Sequence, residues 1–181
     1  MPHLPSLAAN ATLADVFARF PATSRPLLDY HEVLLRGPSP FTVAERELIA
    51  AYVSGLNRCR YCHGVHTRTA EAFGVDEGLL ADLVEDLEGA AVDAKLKPVL
   101  AYVRKLTETP SRMTEADARA VFDAGWDETA LHDAVSVCAL FNLMNRLVEG
   151  LGLADDPGYA REAGRRLHDQ GYAGIIRRLG L

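Results

Sequence analysis

Apolar residues recur every three or four positions along nearly the whole chain, and no stretch alternates steadily between apolar and polar residues. The first spacing places apolar side chains on one face of an α-helix, whereas steady alternation is typical of a half-buried β-strand. The sequence therefore predicts an all-α fold. Because no low-complexity linker interrupts the pattern, we expect residues 1–181 to form a single helical bundle domain.

Two threonines, each followed three residues later by an acid, mark predicted helix starts. Thr12 precedes Asp15 and Thr42 precedes Glu45, and such pairs can cap the free N–H groups of a first turn. Helices should therefore begin near residues 13 and 43. The others are expected over residues 21–36, 57–73, 77–87, 94–106, 114–124, 127–150 and 160–179, the last with an interruption at Gly171. The apolar face of the segment 21–36 is expected to contain Leu27, Leu28, His31, Val33 and Leu34.

Composition and charge exclude several classes of function. The chain is 49% hydrophobic and 24% charged with a net charge of −6, which argues against broad nucleic-acid binding because that needs clustered Lys and Arg. No stretch approaches the roughly 20 apolar residues that cross a bilayer. The first residues do not resemble a secretory signal, so the cytoplasm is the expected location.

The segment LNRCRYCHGVH, residues 56–66, carries the most distinctive chemistry. On a helix, Cys59, Cys62 and His66 share one face, with Cys62 and His66 one turn apart. The positive end of a helix dipole favours a thiolate near the helix start, so a thiol there can ionise below its free value of about 8.5. His66 is placed to accept the thiol proton, as in a nucleophile and base pair.

Glu47 is the best candidate to orient the His66 imidazole. It lies ten positions before Asn57, whereas His66 lies nine after it. In a helical hairpin with its turn near Asn57, both side chains are therefore roughly 14 to 15 Å from the turn and can meet. Glu47 also lies in the apolar segment ELIAAYV, where an unpaired carboxylate would be costly.

Other interpretations of these residues stay open at this level. The two cysteines could be small buried hydrophobic residues, or Cys59, Cys62 and His66 could supply three ligands of a zinc site that still needs a fourth. Cys138 is expected in the core. His31, His132 and His168 are expected to have no nearby nucleophile. Three polar residues in an apolar helix, Asn142, Asn145 and Arg146, are expected to bond between helices or subunits or to line a pocket.

The spacing Glu47, Cys59-x-x-Cys62 and His66 resembles the carboxymuconolactone decarboxylase-like family, specifically its AhpD-like alkyl hydroperoxidase branch. The segment ERELIAAYVSGLNRCRYCHGVHT resembles the peroxidase-related group of that branch. The resemblance is most specific over residues 42–75, and FNLMNR at 141–146 extends it loosely over most of the chain. It implies an all-helical fold with the Cys-x-x-Cys helix in a helical hairpin, assembly into homo-oligomers, and a peroxidase that uses no metal, haem or other cofactor.

The resemblance also implies roles for individual residues. Cys62 would become a sulfenic acid, Cys59 would resolve it, and His66 and Glu47 would form a proton relay. One departure is Tyr61, which stands where the best-described branch has a histidine between the cysteines. Tyr61 could contact the substrate or cover the dithiol, and the neighbouring His63 points to a different helical face.

The predicted function is reduction of organic hydroperoxides or hydrogen peroxide, with the disulfide then reduced by an external thioredoxin-like or lipoyl-bearing protein. The alternatives are a non-catalytic thiol–disulfide switch and a decarboxylase-like enzyme with vestigial peroxidase activity. Neither a nucleic acid nor a membrane is an expected partner.

Overall fold

The computed structural model describes residues 1–181 and contains nine α-helices and no strand. The helices are α1 (Leu13–Arg19), α2 (Pro21–Arg36), α3 (Val43–Leu56), α4 (Arg60–Ala72), α5 (Leu79–Glu85), α6 (Lys97–Glu108), α7 (Glu115–Asp123), α8 (Glu128–Gly150) and α9 (Pro157–Leu179). A short 3₁₀ turn, Pro110–Arg112, joins α6 to α7. The all-α prediction is confirmed.

Local capping chemistry accounts for the helix starts. The Thr42 hydroxyl accepts the Glu45 N–H at 3.2 Å, and the Glu45 carboxylate accepts the Thr42 N–H at 2.7 Å. Thr12 and Thr114 form the same reciprocal arrangement at the starts of α1 and α7. These boxes satisfy N–H groups that have no partner within the helix.

Helix α3 forms the centre of the molecule, with residues 46–54 all buried. It pairs most closely with α4 and also contacts α8, α6 and α5. The turn between α3 and α4 places Arg58 in the left-handed region, at φ 58°. The expected helix start near Asn57 is therefore wrong: Asn57 ends α3, and Cys59 is the residue that precedes α4.

Helix α9 packs along α4 and α2 and closes one side of the bundle. Gly164 makes this approach possible, since a Cβ atom there would lie 2.8 Å from the Arg68 Cβ and 3.1 Å from backbone atoms of α4. The helical conformation breaks at Gly171, with φ 61° and ψ −167°, as predicted. One hydrophobic cluster runs from Val16 to Tyr172.

The expected apolar face of α2 needs one correction. Val33 is 70% exposed, whereas Leu28, His31 and Leu35 are buried. At 100° per residue, Val33 points away from the stripe that these three residues form. No helix of the chain is both long and apolar enough to span a membrane.

Candidate functional site

The two cysteines of the motif lie together at the start of α4 as free thiols. Cys59 is fully buried and Cys62 is 4% exposed. A hydrogen bond to the Cys62 side chain, followed by burial and by repulsion from charge on Cys62, raises the pKa of Cys59 far above its ordinary value. The helix start therefore does not acidify both thiols. A thiolate on one of the two sulfurs therefore disfavours ionisation of the other.

Glu47 and His66 meet across the α3–α4 hairpin, as predicted. Nδ1 of His66 lies 2.7 Å from Oε2 of Glu47. Glu47 is fully buried, and His66 is 7% exposed. The edge of the His66 ring also packs against Phe141, with ring centroids 4.4 Å apart. The imidazole is thus fixed on one side by a carboxylate and on another by an aromatic ring.

Arg36, at the end of α2, completes this group and was missed by sequence reasoning. Its Nη1 lies 2.7 Å from Oε1 of Glu47, close enough for an ion pair although the N–H direction is not aligned for a hydrogen bond. The guanidinium also donates to the carbonyl oxygens of Leu35 and Leu167, at 3.0 and 3.1 Å. The only signal in the sequence was the need of Glu47, in an apolar segment, for a cation.

Opposing effects set the pKa of Glu47. Burial alone would raise it, but the charge and hydrogen bond of His66, followed by the charge of Arg36, outweigh burial and lower the pKa below its ordinary value. Glu47 is therefore a carboxylate at neutral pH. It holds His66 with a charge that stabilises an imidazolium.

Cys62 and His66 line one cavity of about 80 Å³ together with residues from five helices. No hydrogen bond joins the Cys62 sulfur to the His66 ring directly, so a proton would pass between them through a molecule held in the cavity. Fourteen of the 21 lining residues are hydrophobic, which suits a substrate with an apolar body. The apolar walls include Leu13, Phe17, Leu28, Val65, Phe141 and Met144.

His31 also lines this cavity, which corrects the expectation that no nucleophile lies near it. Its Nδ1 lies 2.7 Å from the Leu27 carbonyl oxygen. Burial lowers the pKa of His31 to about 4, against the opposing effect of that hydrogen bond. His31 is therefore neutral at pH 7, with Nδ1–H as the donor to Leu27 and Nε2 as an acceptor. Helices α2 and α4 are separated in sequence, so no local spacing could reveal this.

Tyr61 forms part of the cavity wall. Its hydroxyl accepts the backbone N–H of Leu13 at 3.0 Å, and its ring lies 5.4 Å from that of Tyr159. Tyr61 thus links α1 and α9 to the dithiol, while its contact with substrate stays a prediction. His63 points away from the cavity and lies 2.9 Å from the Ala51 carbonyl oxygen, in agreement with the face predicted for it.

Asn142 and Asn145 bond to residues outside α8, whereas Arg146 bonds only within α8, and none of the three lines the cavity. Asn57 donates to the side-chain oxygens of Asn142 and Asn145 at 3.0 and 2.9 Å, and Asn145 donates to Ser54 at 3.0 Å. Arg146 in turn donates to Asn142 at 2.8 Å. This network fixes the turn that leads into Cys59. Cys138 is buried in the core, as predicted.

The zinc site considered for Cys59, Cys62 and His66 would need its ligands to lie together. No three of the chain's His, Cys, Asp and Glu side chains are grouped as ligands of one metal ion.

Comparisons with known proteins show what the sequence and the fold are similar to. Residues 21–108 match the model of the carboxymuconolactone decarboxylase family, whereas none of the curated proteins matches the sequence. The structure is similar to that of an uncharacterized peroxidase-related protein from Silicibacter sp. TM1040, with a TM-score of 0.76 and 25% identity over 82% of this chain and 78% of that chain. An uncharacterized peroxidase-related protein from Ralstonia eutropha JMP134, described as an alkylhydroperoxidase AhpD core, gives a TM-score of 0.75 and 23% identity over 83% and 78%. At 23% identity, the similarity to the Ralstonia protein shows only that the two chains share a fold. Residues 21–108, just under half of the chain, are thus similar to the carboxymuconolactone decarboxylase family, and the chain has an AhpD-like all-helical fold.

Proposed function

We propose that this protein is a thiol-dependent peroxidase in which Cys62 is the nucleophile, Cys59 resolves the oxidised sulfur, and His66 with Glu47 carries the proton. The observation that carries the proposal is the buried Glu47–His66 pair, 2.7 Å apart, on the cavity that Cys62 also lines. A base held by a carboxylate beside a thiol is the arrangement that activates a cysteine.

The reaction balances in three steps. His66 takes the Cys62 proton through a molecule held in the cavity, and the thiolate attacks the terminal oxygen of a hydroperoxide. The O–O bond breaks, the leaving alkoxide takes the proton from His66, and Cys62 becomes a sulfenic acid. Cys59 then attacks the Cys62 sulfur, which releases water and forms a disulfide. An external dithiol reduces that disulfide by exchange and is itself oxidised.

The raised pKa of Cys59 suits this order of events, because a protonated Cys59 does not compete with Cys62 for the peroxide. Its burial also protects it from external oxidants.

A thioredoxin-like or lipoyl-bearing protein is the expected reductant. A homo-oligomer is the expected assembly, and light scattering on the purified protein would test it.

Turnover is the decisive test. Purified protein is mixed with excess tert-butyl hydroperoxide or hydrogen peroxide and with dithiothreitol as the dithiol, and peroxide loss is followed. We expect many peroxide molecules to be consumed per chain by the wild type and by the Cys138→Ala control, and none above background by Cys62→Ser. Oxidation that stops after one peroxide per chain, with dithiol still present, would instead establish a redox switch. Failure of the wild type to react at all would leave the decarboxylase-like alternative.

A further inference from the structure

The hydroxyl of Tyr172 is a buried polar group that has no protein partner. Tyr172 is 4% exposed, and its hydroxyl oxygen is buried without a hydrogen bond. Tyr172 is one of the residues that line the cavity together with Cys62, His66 and His31. Buried hydroxyls nearly always have a partner, so an unpaired one calls for an explanation.

The backbone is built to hold Tyr172 in this position. Gly171 has φ 61° and ψ −167°, a conformation that is essentially restricted to glycine. The break frees the N–H groups that follow it, and Glu32 accepts those of Tyr172 and Ala173 at 2.7 and 2.9 Å. A carboxylate thus caps the restarted helix at the residue that enters the cavity.

Neighbouring rings and charges fix the orientation of the phenol. The His31 ring lies 4.8 Å away, and the Arg36 guanidinium lies 5.3 Å from the Tyr172 ring centroid. Burial, followed by the negative charge of Glu47, raises the pKa of Tyr172 well above its ordinary value. The phenol therefore keeps its proton at neutral pH and has an O–H to donate.

We propose that the Tyr172 hydroxyl donates a hydrogen bond to the hydroperoxide oxygen that is bonded to carbon, the oxygen that leaves as an alkoxide when Cys62 attacks. This proposal rests on the function proposed above. A new bond forms between the Cys62 sulfur and the terminal oxygen, the O–O bond breaks, and its electron pair remains on the leaving oxygen. His66 returns the thiol proton to that oxygen, while Tyr172 keeps its own proton and stabilises the developing charge.

The hydrogen bond strengthens as charge builds on the leaving oxygen, so it acts on the transition state more than on the bound peroxide. It also gives the unpaired hydroxyl its missing partner. Because Tyr172 lies outside residues 21–108, which match the family model, the donor comes from a helix beyond the segment that carries the cysteine motif.

Tyr172→Phe removes the hydroxyl alone, and Tyr52→Phe is the matched control. Tyr52 is fully buried and, like Tyr172, has a hydroxyl without a hydrogen-bond partner, but it does not line the cavity. Both changes are made in a Cys59→Ser background, so that the reaction stops at the Cys62 sulfenic acid. The rate constant with tert-butyl hydroperoxide, the rate of alkylation by iodoacetamide, and the melting temperature are measured for each variant.

We expect Tyr172→Phe to slow sulfenic acid formation about 10- to 100-fold, as for loss of a hydrogen bond to a charged atom. Alkylation of Cys62 should keep its rate, because iodoacetamide has no peroxide oxygen. The melting temperature should not fall, since no hydrogen bond within the protein is lost, and Tyr52→Phe should react like its parent.

Three results would overturn this role. Equal peroxide rates in Tyr172→Phe and its parent would remove Tyr172 from the reaction while leaving the peroxidase proposal intact. A slower rate with an equally slowed alkylation, or with a lowered melting temperature, would make the hydroxyl a structural group. No sulfenic acid in the parent protein would overturn the peroxidase proposal and this inference together.

Discussion

Glu47→Gln tests how far the carboxylate beneath His66 controls the chemistry of Cys62. The substitution keeps the shape of a fully buried side chain and removes its charge. Gln offers one oxygen and one NH₂ group to two donors, Nδ1–H of His66 and the Arg36 guanidinium, which both lie 2.7 Å from the present carboxylate. One of them must therefore lose its acceptor.

The effect on stability follows from the loss of a buried ion pair. Removing one member of such a pair costs about 3–5 kcal/mol. We expect the lower end, about 3 kcal/mol, because Arg36 keeps its hydrogen bonds to the carbonyls of Leu35 and Leu167. Since domains typically unfold with about 5–15 kcal/mol, the variant should remain folded.

The sign of the pH dependence follows from the lowered pKa of Glu47. A group of this kind contributes stability above its unfolded pKa of about 4.3, and the contribution is lost as the pH falls through the lower folded value. Urea unfolding at pH 7 and pH 3.5 should therefore show a difference between wild type and Glu47→Gln that narrows at the acidic pH.

The effect on reactivity follows from the loss of a charge-assisted hydrogen bond. The imidazolium that forms when His66 takes the Cys62 proton loses about 1.5–3 kcal/mol of stabilisation. The pH midpoint for alkylation of Cys62 should accordingly rise by about one to two units. Iodoacetamide labelling across pH 5–10, with the labelled peptide located by mass spectrometry, measures this midpoint.

Glu45→Gln is the matched control, because Gln can replace the Glu45 carboxylate in the capping box with Thr42. This variant removes a charge two residues away without touching His66. If Glu47→Gln and Glu45→Gln showed the same midpoint as the wild type, Glu47 would have no part in activating Cys62, and the relay would be wrong.

Four further substitutions test how the helices and the cavity are built. Gly164→Ala should lower the free energy of unfolding by about 1–3 kcal/mol, because its Cβ would overlap α4. Gly64→Ala is the control, because its Cβ would be in ordinary contact at 3.5 Å from Ala160, and it should be neutral or stabilising by up to about 1 kcal/mol. If urea unfolding showed the same loss of free energy of unfolding for both variants, the close approach of α9 to α4 would be contradicted. Gly171→Ala should cost about 1–3 kcal/mol through its positive φ and slow peroxide reduction by displacing Tyr172, so an unchanged melting temperature and rate would refute the need for the break. The pKa of His31 is lowered to about 4 in the folded protein, so as the pH falls His31 gains its proton in the unfolded chain before it does so in the folded one. The free energy of unfolding should therefore fall by on the order of 3 kcal/mol between pH 6.5 and 4. An equally steep loss in a His31→Leu variant would disprove this.

The features that sequence reasoning reached are those set by local chemistry. The capping boxes at Thr12 and Thr42 fixed two helix starts, and the break at Gly171 followed from its residue type. The meeting of Glu47 with His66 was also accessible, because a short turn fixes the register of a hairpin.

The features that it missed depend on packing between helices far apart in the chain. Arg36, His31 and Tyr172 reach the site from α2 and α9, and no spacing within α4 indicates them. The position of Cys59 before α4 was missed for a different reason. The turn places Arg58 in the left-handed region at φ 58°. Glycine or asparagine usually occupies this region, so an arginine gave no indication of the turn.

Identifying the cysteine that reacts with the peroxide tests the proposed function most directly. Cys59→Ser protein is treated with one equivalent of tert-butyl hydroperoxide in the presence of dimedone, and the modified peptide is identified by mass spectrometry. We expect a dimedone adduct on Cys62 in this variant and almost none in the wild type, where Cys59 resolves the sulfenic acid first. An adduct on Cys138, a wild-type adduct on Cys59, or no adduct in either protein would contradict the proposed function.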